Sequence, residues 1–258
     1  MKRLPNGAAL IVKRNPSNNI LAMECFFRMG SYYEQTPENG VTNLTCEAML
    51  KGTKNRSALQ IAEAMESIGG EIDAAAAEDF AEVSTISTVE DLDVALDVLG
   101  DVIKNPTFPE EEIEKEREVV LAAIRQQEDN SFQYTYRLFR QLLYEGHPYA
   151  LPVIGTSATV RAITRDQIVR LHRANFAADN MLIVVVGNVD PDVIERKMAR
   201  AFADLPPAGA DKLTASKKFR PRFRTRTLNK EIEQAFIIIG FVTDRARSED
   251  YVPLKVGS

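Results

Sequence analysis

Short apolar runs alternate along this chain with longer amphipathic stretches, and turn-forming residues separate them. Residues 8–12 (AALIV) and 20–28 (ILAMECFFR) have strand length, with Pro16-Ser17-Asn18-Asn19 as the turn between them. Residues 30–40 are polar and predict a loop. Over 41–50 (VTNLTCEAML) the apolar Val41, Leu44, Ala48 and Met49 recur near one helical face. A second helix opens at Ser57, where Ser57 and Gln60 form a capping-box pattern. Ile61, Met65 and Ile68 supply its buried stripe, and Gly69-Gly70 stops it.

Residues 71–76 and 80–87 predict a hairpin. Residues 89–104 predict an amphipathic helix ended by Asn105-Pro106. Pro109 opens a long charged helix to about Asp129, and another covers roughly 132–144. After a loop containing HPYALPVIGT, Thr164 and Gln167 give a second capping box for a helix to about Asn175. Residues 181–186 predict a buried strand and 190–203 a helix.

Residues 204–216 (DLPPAGADKLTAS) have the composition of a linker. Beyond it, Arg220, Arg222, Arg224 and Arg226 alternate with Phe223 and Thr225, the period of a strand with one basic face. Residues 235–241 (AFIIIGF) predict a core strand, and 248–256 the start of a helix. Mixed strands and helices with hairpin signals predict an α+β fold, a mainly antiparallel sheet with helices mostly on one face. The expected organisation is a domain over 1–203, a linker over 204–216, and over 217–258 the start of a second, similar domain.

The 258 residues are 45% hydrophobic and 27% charged, enough for one core of about 200 residues. A net charge of −5 gives nucleic acid no electrostatic footing, and the arginine row brings no recognition motif with it. The best apolar run, 181–187, is far short of the ~20 residues of a membrane span. The N-terminus lacks the apolar segment of a signal peptide. As given the chain reads as cytoplasmic, or periplasmic if a leader has been removed. Cys25 and Cys46 make no disulfide framework, and Cys25 sits in an apolar run as a buried small hydrophobe. The only histidines, His147 and His172, are too far apart to share a helical turn, which leaves no usual zinc cluster. His147 is expected in a hydrogen-bonded loop and His172 on a solvated helix face.

Several segments together resemble the pitrilysin/insulinase-type zinc peptidases, the group that includes the mitochondrial processing peptidases. They are LPNGAALIVKRN, FFRMGSYYEQTPENGVTNLTCEAMLKGT, SALQIAEAMESIGGEIDA, NPTFPEEEIEKEREVVL, HPYALPVIGT and EQAFIIIGF. The framing Gly40-Val41 and Lys51-Gly52-Thr53 fix the register. Active members of that family carry H-x-x-E-H on the helix matching 41–50, two histidines holding zinc and a glutamate acting as base. Here the five positions are Asn43-Leu44-Thr45-Cys46-Glu47, so Asn43 and Glu47 stand for the ligands and Cys46 for the base. The third ligand position, seven residues after Glu116, falls on Ala123. The resemblance therefore implies a member with no zinc and no catalytic residues of its own.

What it implies in place of catalysis is a subunit that pairs with a homologous active zinc peptidase, or with itself, and helps to line a peptide chamber. Rival readings are a scaffold of the same fold and a divergent active metallopeptidase. A thiol–carboxylate site at Cys46-Glu47 would need a nearby base or cation to lower the thiol pKa, and no histidine is local. Asp73 and Ala74 fall where the resemblance implies an edge strand that binds peptide by main-chain hydrogen bonds. An edge merely blunted by acidic residues accounts for them equally well.

Overall fold

A computed structural model describes residues 1–208, 222–229, 234–243 and 248–249. Among the described residues six strands form one sheet: β1 (Lys2–Arg3), β2 (Ala9–Arg14), β3 (Ile20–Phe27), β4 (Glu71–Ala76), β5 (Ala81–Thr88) and β6 (Met181–Gly187). Their order is β1-β2-β6-β3-β5-β4. Only β2 and β6 run parallel; every other pair is antiparallel. β6 is thus inserted between two strands that are neighbours in sequence. β4 forms one edge of the sheet.

Side chains alternate across the sheet. In β3, Leu21, Met23, Cys25 and Phe27 are fully buried, whereas Ala22, Glu24 and Phe26 are half-buried on the other face. β5 and β6 repeat the alternation. One face is therefore the core face, and the helices cover it. They are α1 (Val41–Met49), α2 (Ala58–Glu66), α3 (Leu92–Lys104), α4 (Glu110–Asp129), α5 (Ser131–Leu143), α6 (Ser157–Ala162), α7 (Arg165–Asn175) and α8 (Pro191–Ala201). Both expected capping boxes form, Ser57 with Gln60 and Thr164 with Gln167. The fold is α+β, as the sequence pattern predicts. α1 is the most enclosed helix, packing on β4, α4 and α7 with seven of its nine residues buried.

Four differences from the sequence reading have physical causes. α6 lies in the stretch expected to be loop; it is a six-residue helix held by a third capping box, Thr156 with Thr159, too short to show periodicity. His172 is buried, not solvated. It extends the stripe of Ile168 and Asn175, stacks on Phe176 at 4.7 Å and hydrogen-bonds the Ile103 carbonyl at 3.0 Å. The expected basic strand has no sheet partner among the described residues: 222–229 is exposed throughout, Arg224 pairs with Glu145, and Arg220 lies outside the described residues.

The expected core strand at 235–241 is also unpaired among the described residues. It lies along α5 instead, whose own apolar face buries no residue. Phe236 meets Phe132 edge-on at 6.3 Å, and Gly240 sits against the Phe139 ring. Its other side, Ile237, Ile239 and Phe241, faces solvent. Most of 204–216 and of the expected helix at 248–256 lies outside the described residues.

Candidate functional site

The site expected at residues 41–50 begins with how α1 is started. Gly40, at φ 97°, offers no side chain to cap the helix. Glu34 does this from the preceding loop. Its carboxylate accepts from the backbone N–H groups of Gly40 (2.8 Å) and Thr42 (2.8 Å) and from Asn39 Nδ2 (3.0 Å). A carboxylate at a helix N-terminus meets both unsatisfied N–H groups and the positive end of the helix dipole. Asn39 also donates to the Pro152 carbonyl, and Gly40 packs against Gly155 too closely for a Cβ on either residue. Ser31 and Tyr32 donate their backbone N–H groups to Ala77 and Glu78 at the β4–β5 turn. The loop before α1 is thereby tied to the end of the edge strand.

Along α1, Asn43 and Glu47 are the two half-buried positions, one turn apart. Lys51 follows just beyond the helix end and reaches α4, where its Nζ lies 3.0 Å from Glu116 Oε1. Burial raises the Glu47 carboxyl above the usual glutamate range; Glu116 and Asp73 add to the rise, and Lys51 opposes it. The fold thus gathers Glu47 of α1, Glu116 of α4, Lys51 and Asp73 of β4 into one electrostatic neighbourhood. Sequence reasoning singled out Glu47 and Asp73 but did not foresee the Lys51–Glu116 pair or the Glu34 cap. The spacing of four between Glu47 and Lys51, one helical turn, is the only local signal here; nothing local in the sequence links Lys51 to Glu116.

Cys46 turns the other way. It is 1% exposed, and burial pushes its thiol up, with Glu47, Asp73, Glu34 and Glu82 adding to the effect. A thiol held protonated is neither a nucleophile nor a metal ligand. Ala123 sits on α4 two turns beyond Glu116 on the same half-buried stripe and carries no donor atom. An amide, a buried thiol, one carboxylate and a methyl do not fit a zinc ion, which takes imidazole, thiolate and carboxylate. Among the described residues no group of three or more His, Cys, Asp and Glu side chains is placed to hold a metal.

On β4, Ala74 points into the core at 3% exposure, while Asp73 is exposed on the opposite face. β4 pairs with β5 alone among the described residues, so its outer edge presents unpaired main-chain groups. His147 lies in the loop before α6 and caps a short 3-10 turn, its Nδ1 accepting from the Tyr149 N–H at 3.2 Å. No helix among the described residues is long and apolar enough to cross a membrane.

Two family descriptions match this chain. The insulinase model, peptidase family M16, matches residues 9–157, and the model described as the peptidase M16 inactive domain matches 162–258. An "uncharacterized zinc protease" of Rickettsia bellii is 30% identical over 241 residues, 93% of this chain and 58% of that protein. One of Bacillus subtilis is 29% identical over 238 residues, 92% of this chain and 57% of that protein. The chain therefore spans little more than half the length of these relatives. Among solved structures, a peptidase M16 inactive domain from Pseudomonas fluorescens superposes with a TM-score of 0.76 at 25% identity, covering 86% of this chain and 53% of the other. A protease from Helicobacter pylori has the same fold, with a TM-score of 0.77 at 22% identity over 83% of this chain and 52% of that one.

Proposed function

Because this chain belongs to peptidase family M16, the insulinase family, we propose that it is a zinc-free, non-catalytic member that pairs with an active zinc peptidase and helps to line a peptide chamber. The observation that carries this reading is the donor set at the α1–α4 junction. By the resemblance to active members, Asn43, Cys46, Glu47 and Ala123 stand for the metal ligands and the base, and they supply one carboxylate and no imidazole. Metal-assisted hydrolysis needs both the ion and a base for its bound water, and the loss of such parts is not additive. No proteolytic step is therefore assigned to this chain.

What it offers a peptide is β4. An extended segment can add to that edge by main-chain hydrogen bonds, with Asp73 beside it on one face and Ala74 filling the core on the other. Residues 217–258 are read as the start of a second homologous domain. The solvent-facing Ile237, Ile239 and Phe241 favour an associated form, either with an active relative or with a second copy.

The test is metal content and peptide cleavage of the purified chain, alone and mixed with an active zinc peptidase of the family. Far less than one zinc per chain and no cleavage alone are expected, with a mixed complex on size-exclusion chromatography. Stoichiometric zinc, or hydrolysis by the lone chain that a chelator stops, overturns the reading.

A further inference from the structure

The outer face of the sheet, opposite the helices, carries a pattern of its own. Strand register sets its side chains in rows that cross the sheet. The row that begins at Lys13 on β2 runs through Val186, Ala22 and Ile86 to Glu71 on β4. The row that begins at Arg3 on β1 runs through Leu182 and Phe26 to Glu82 on β5. Each is basic at the β1–β2 margin, apolar over β6 and β3, and acidic at the β5–β4 margin. Ile11, Ile20, Phe80 and Ile86 are exposed on this face, and Phe80 meets Phe26 edge-on at 5.4 Å. Large apolar side chains gathered on one face and rimmed by charge mark an association surface, whereas scattered ones do not.

The order of the charges selects the occupant. A partner of one sign is repelled at one margin or the other. A second copy, turned about a twofold axis parallel to the strands, lays β6 over β3 and each basic margin over the other copy's acidic margin. We propose that the outer sheet face is a self-association surface, on which two copies stack with Lys13 of each beside Glu71 of the other. Aligned sheets pack in this way about 10 Å apart. The face measures about 500 Å² per copy from its strand and residue spacings, so the pair buries about 1,000 Å², enough for a reversible dimer. Glu24 is the one charged side chain that β3 and β6 bring to this face, and its place near the middle keeps the pairing weak. The inference rests on the associated form proposed above; it names the second copy as partner and leaves Ile237, Ile239 and Phe241 outside the contact.

The experiment is sedimentation equilibrium of the whole chain over about 1–100 μM, a range suited to an interface of this size. The unaltered chain should dimerise reversibly. Leu182→Asp sets a carboxylate over Phe26 of the second copy and should weaken the dimer about tenfold or more. Lys13→Glu and Glu71→Lys should each weaken it about three- to tenfold. An equimolar mixture of those two variants should dimerise like the unaltered chain, because each heterodimer regains both opposite-charge pairs. Ile239→Asp should change nothing. A monomer at every concentration overturns the proposal, even one that joins an active zinc peptidase of the family through this face. A dimer that Ile239→Asp abolishes, or that Leu182→Asp leaves intact, also overturns it and places the contact elsewhere. So does a mixture that fails to recover. If Leu182→Asp does not fold, the variants at the exposed Lys13 and Glu71 decide alone. Zinc is measured in the same samples: stoichiometric zinc in an intact dimer would sink the zinc-free reading alone, and a zinc-free monomer would sink this inference alone.

Discussion

The Thr53 hydroxyl donates a 2.6 Å hydrogen bond to the carboxylate of Asp101, joining the loop after α1 to α3. Asp101 also accepts from Asn55 (2.6 Å), Asn105 (2.9 Å) and Arg56 (2.8 Å), and its side chain is 4% exposed. Burial alone would push its carboxyl up, but the bonds from Thr53, Asn105, Asn55 and Arg56 outweigh that and hold it below the usual range. The Lys51-Gly52-Thr53 turn is thereby fixed, and with it the approach of Lys51 to α4. Asp101→Asn turns an acceptor toward which four donors point into a partial donor. It should cost about 2–4 kcal/mol of stability at neutral pH. Because the folded carboxyl titrates low, this contribution should be present above the unfolded value near pH 4 and be lost as pH falls through the folded one. Urea unfolding measures it; a loss below about 0.5 kcal/mol, the range of surface changes, would show that the network is incidental.

His172 gives a second pH dependence, in the same direction. Burial lowers its imidazole to about 4, although the bond to the Ile103 carbonyl works the other way and Arg173 adds a little to the lowering. Since a carbonyl only accepts, Nε2 carries the proton of the neutral ring. The unfolded chain binds a proton near pH 6.5 that the folded chain refuses until about pH 4. The stability is therefore full above pH 6.5 and falls as pH drops toward 4, by at most about 3 kcal/mol. Urea midpoints for the unaltered chain and for His172→Phe should diverge at pH 7.5 and converge toward pH 4.5. Parallel acid profiles would show that the histidine does not titrate in this way.

Much of the fold was legible because its signals were local. Apolar runs of strand length marked β2, β3 and β6, and capping boxes marked the starts of α2 and α7. The edge position of β4 came from the family resemblance, and the sheet order places it there. What was not legible depended on groups far apart in sequence. Glu34 caps α1 across a loop, and Lys51 meets Glu116, 65 positions further along the chain. His172 was misread because arginines flank it, although the stripe of Ile168, His172 and Asn175 at helical spacing marks the buried side. The segment 235–241 has core-strand composition, but composition does not supply neighbouring strands. Alternate apolar residues there face solvent.

Cys25 and Cys46 should both resist modification in the native protein. Each is fully enclosed, and burial raises both thiols. A thiol reagent at pH 8 should label neither within minutes and label both after unfolding. Rapid native labelling at Cys46 would mean that α1 opens to solvent at this position, and it would revive a thiol-based site beside Glu47.

The proposed register between this chain and zinc-bearing members of the family can be tested by building a metal site at the matching positions. Asn43 and Glu47 lie one turn apart on the half-buried side of α1, so Asn43→His and Glu47→His would place two imidazoles on one helical face. Ala123→Glu would return a carboxylate to α4, the helix that packs against α1. Cys46→Glu is a different matter, because that position is 1% exposed and among acidic groups. A carboxylate there should cost about 3 kcal/mol or more unless metal or a local shift relieves it. The expected result is therefore stepwise. The triple change should gain close to one zinc per chain with the fold intact. Adding Cys46→Glu should lower the melting temperature without zinc and restore part of the loss with it. Metal content after dialysis and melting curves with and without zinc read both steps. A folded triple variant that binds no zinc would show that positions 43, 47 and 123 do not converge. The residue-by-residue correspondence with active relatives would then fail, while the M16 fold would stand.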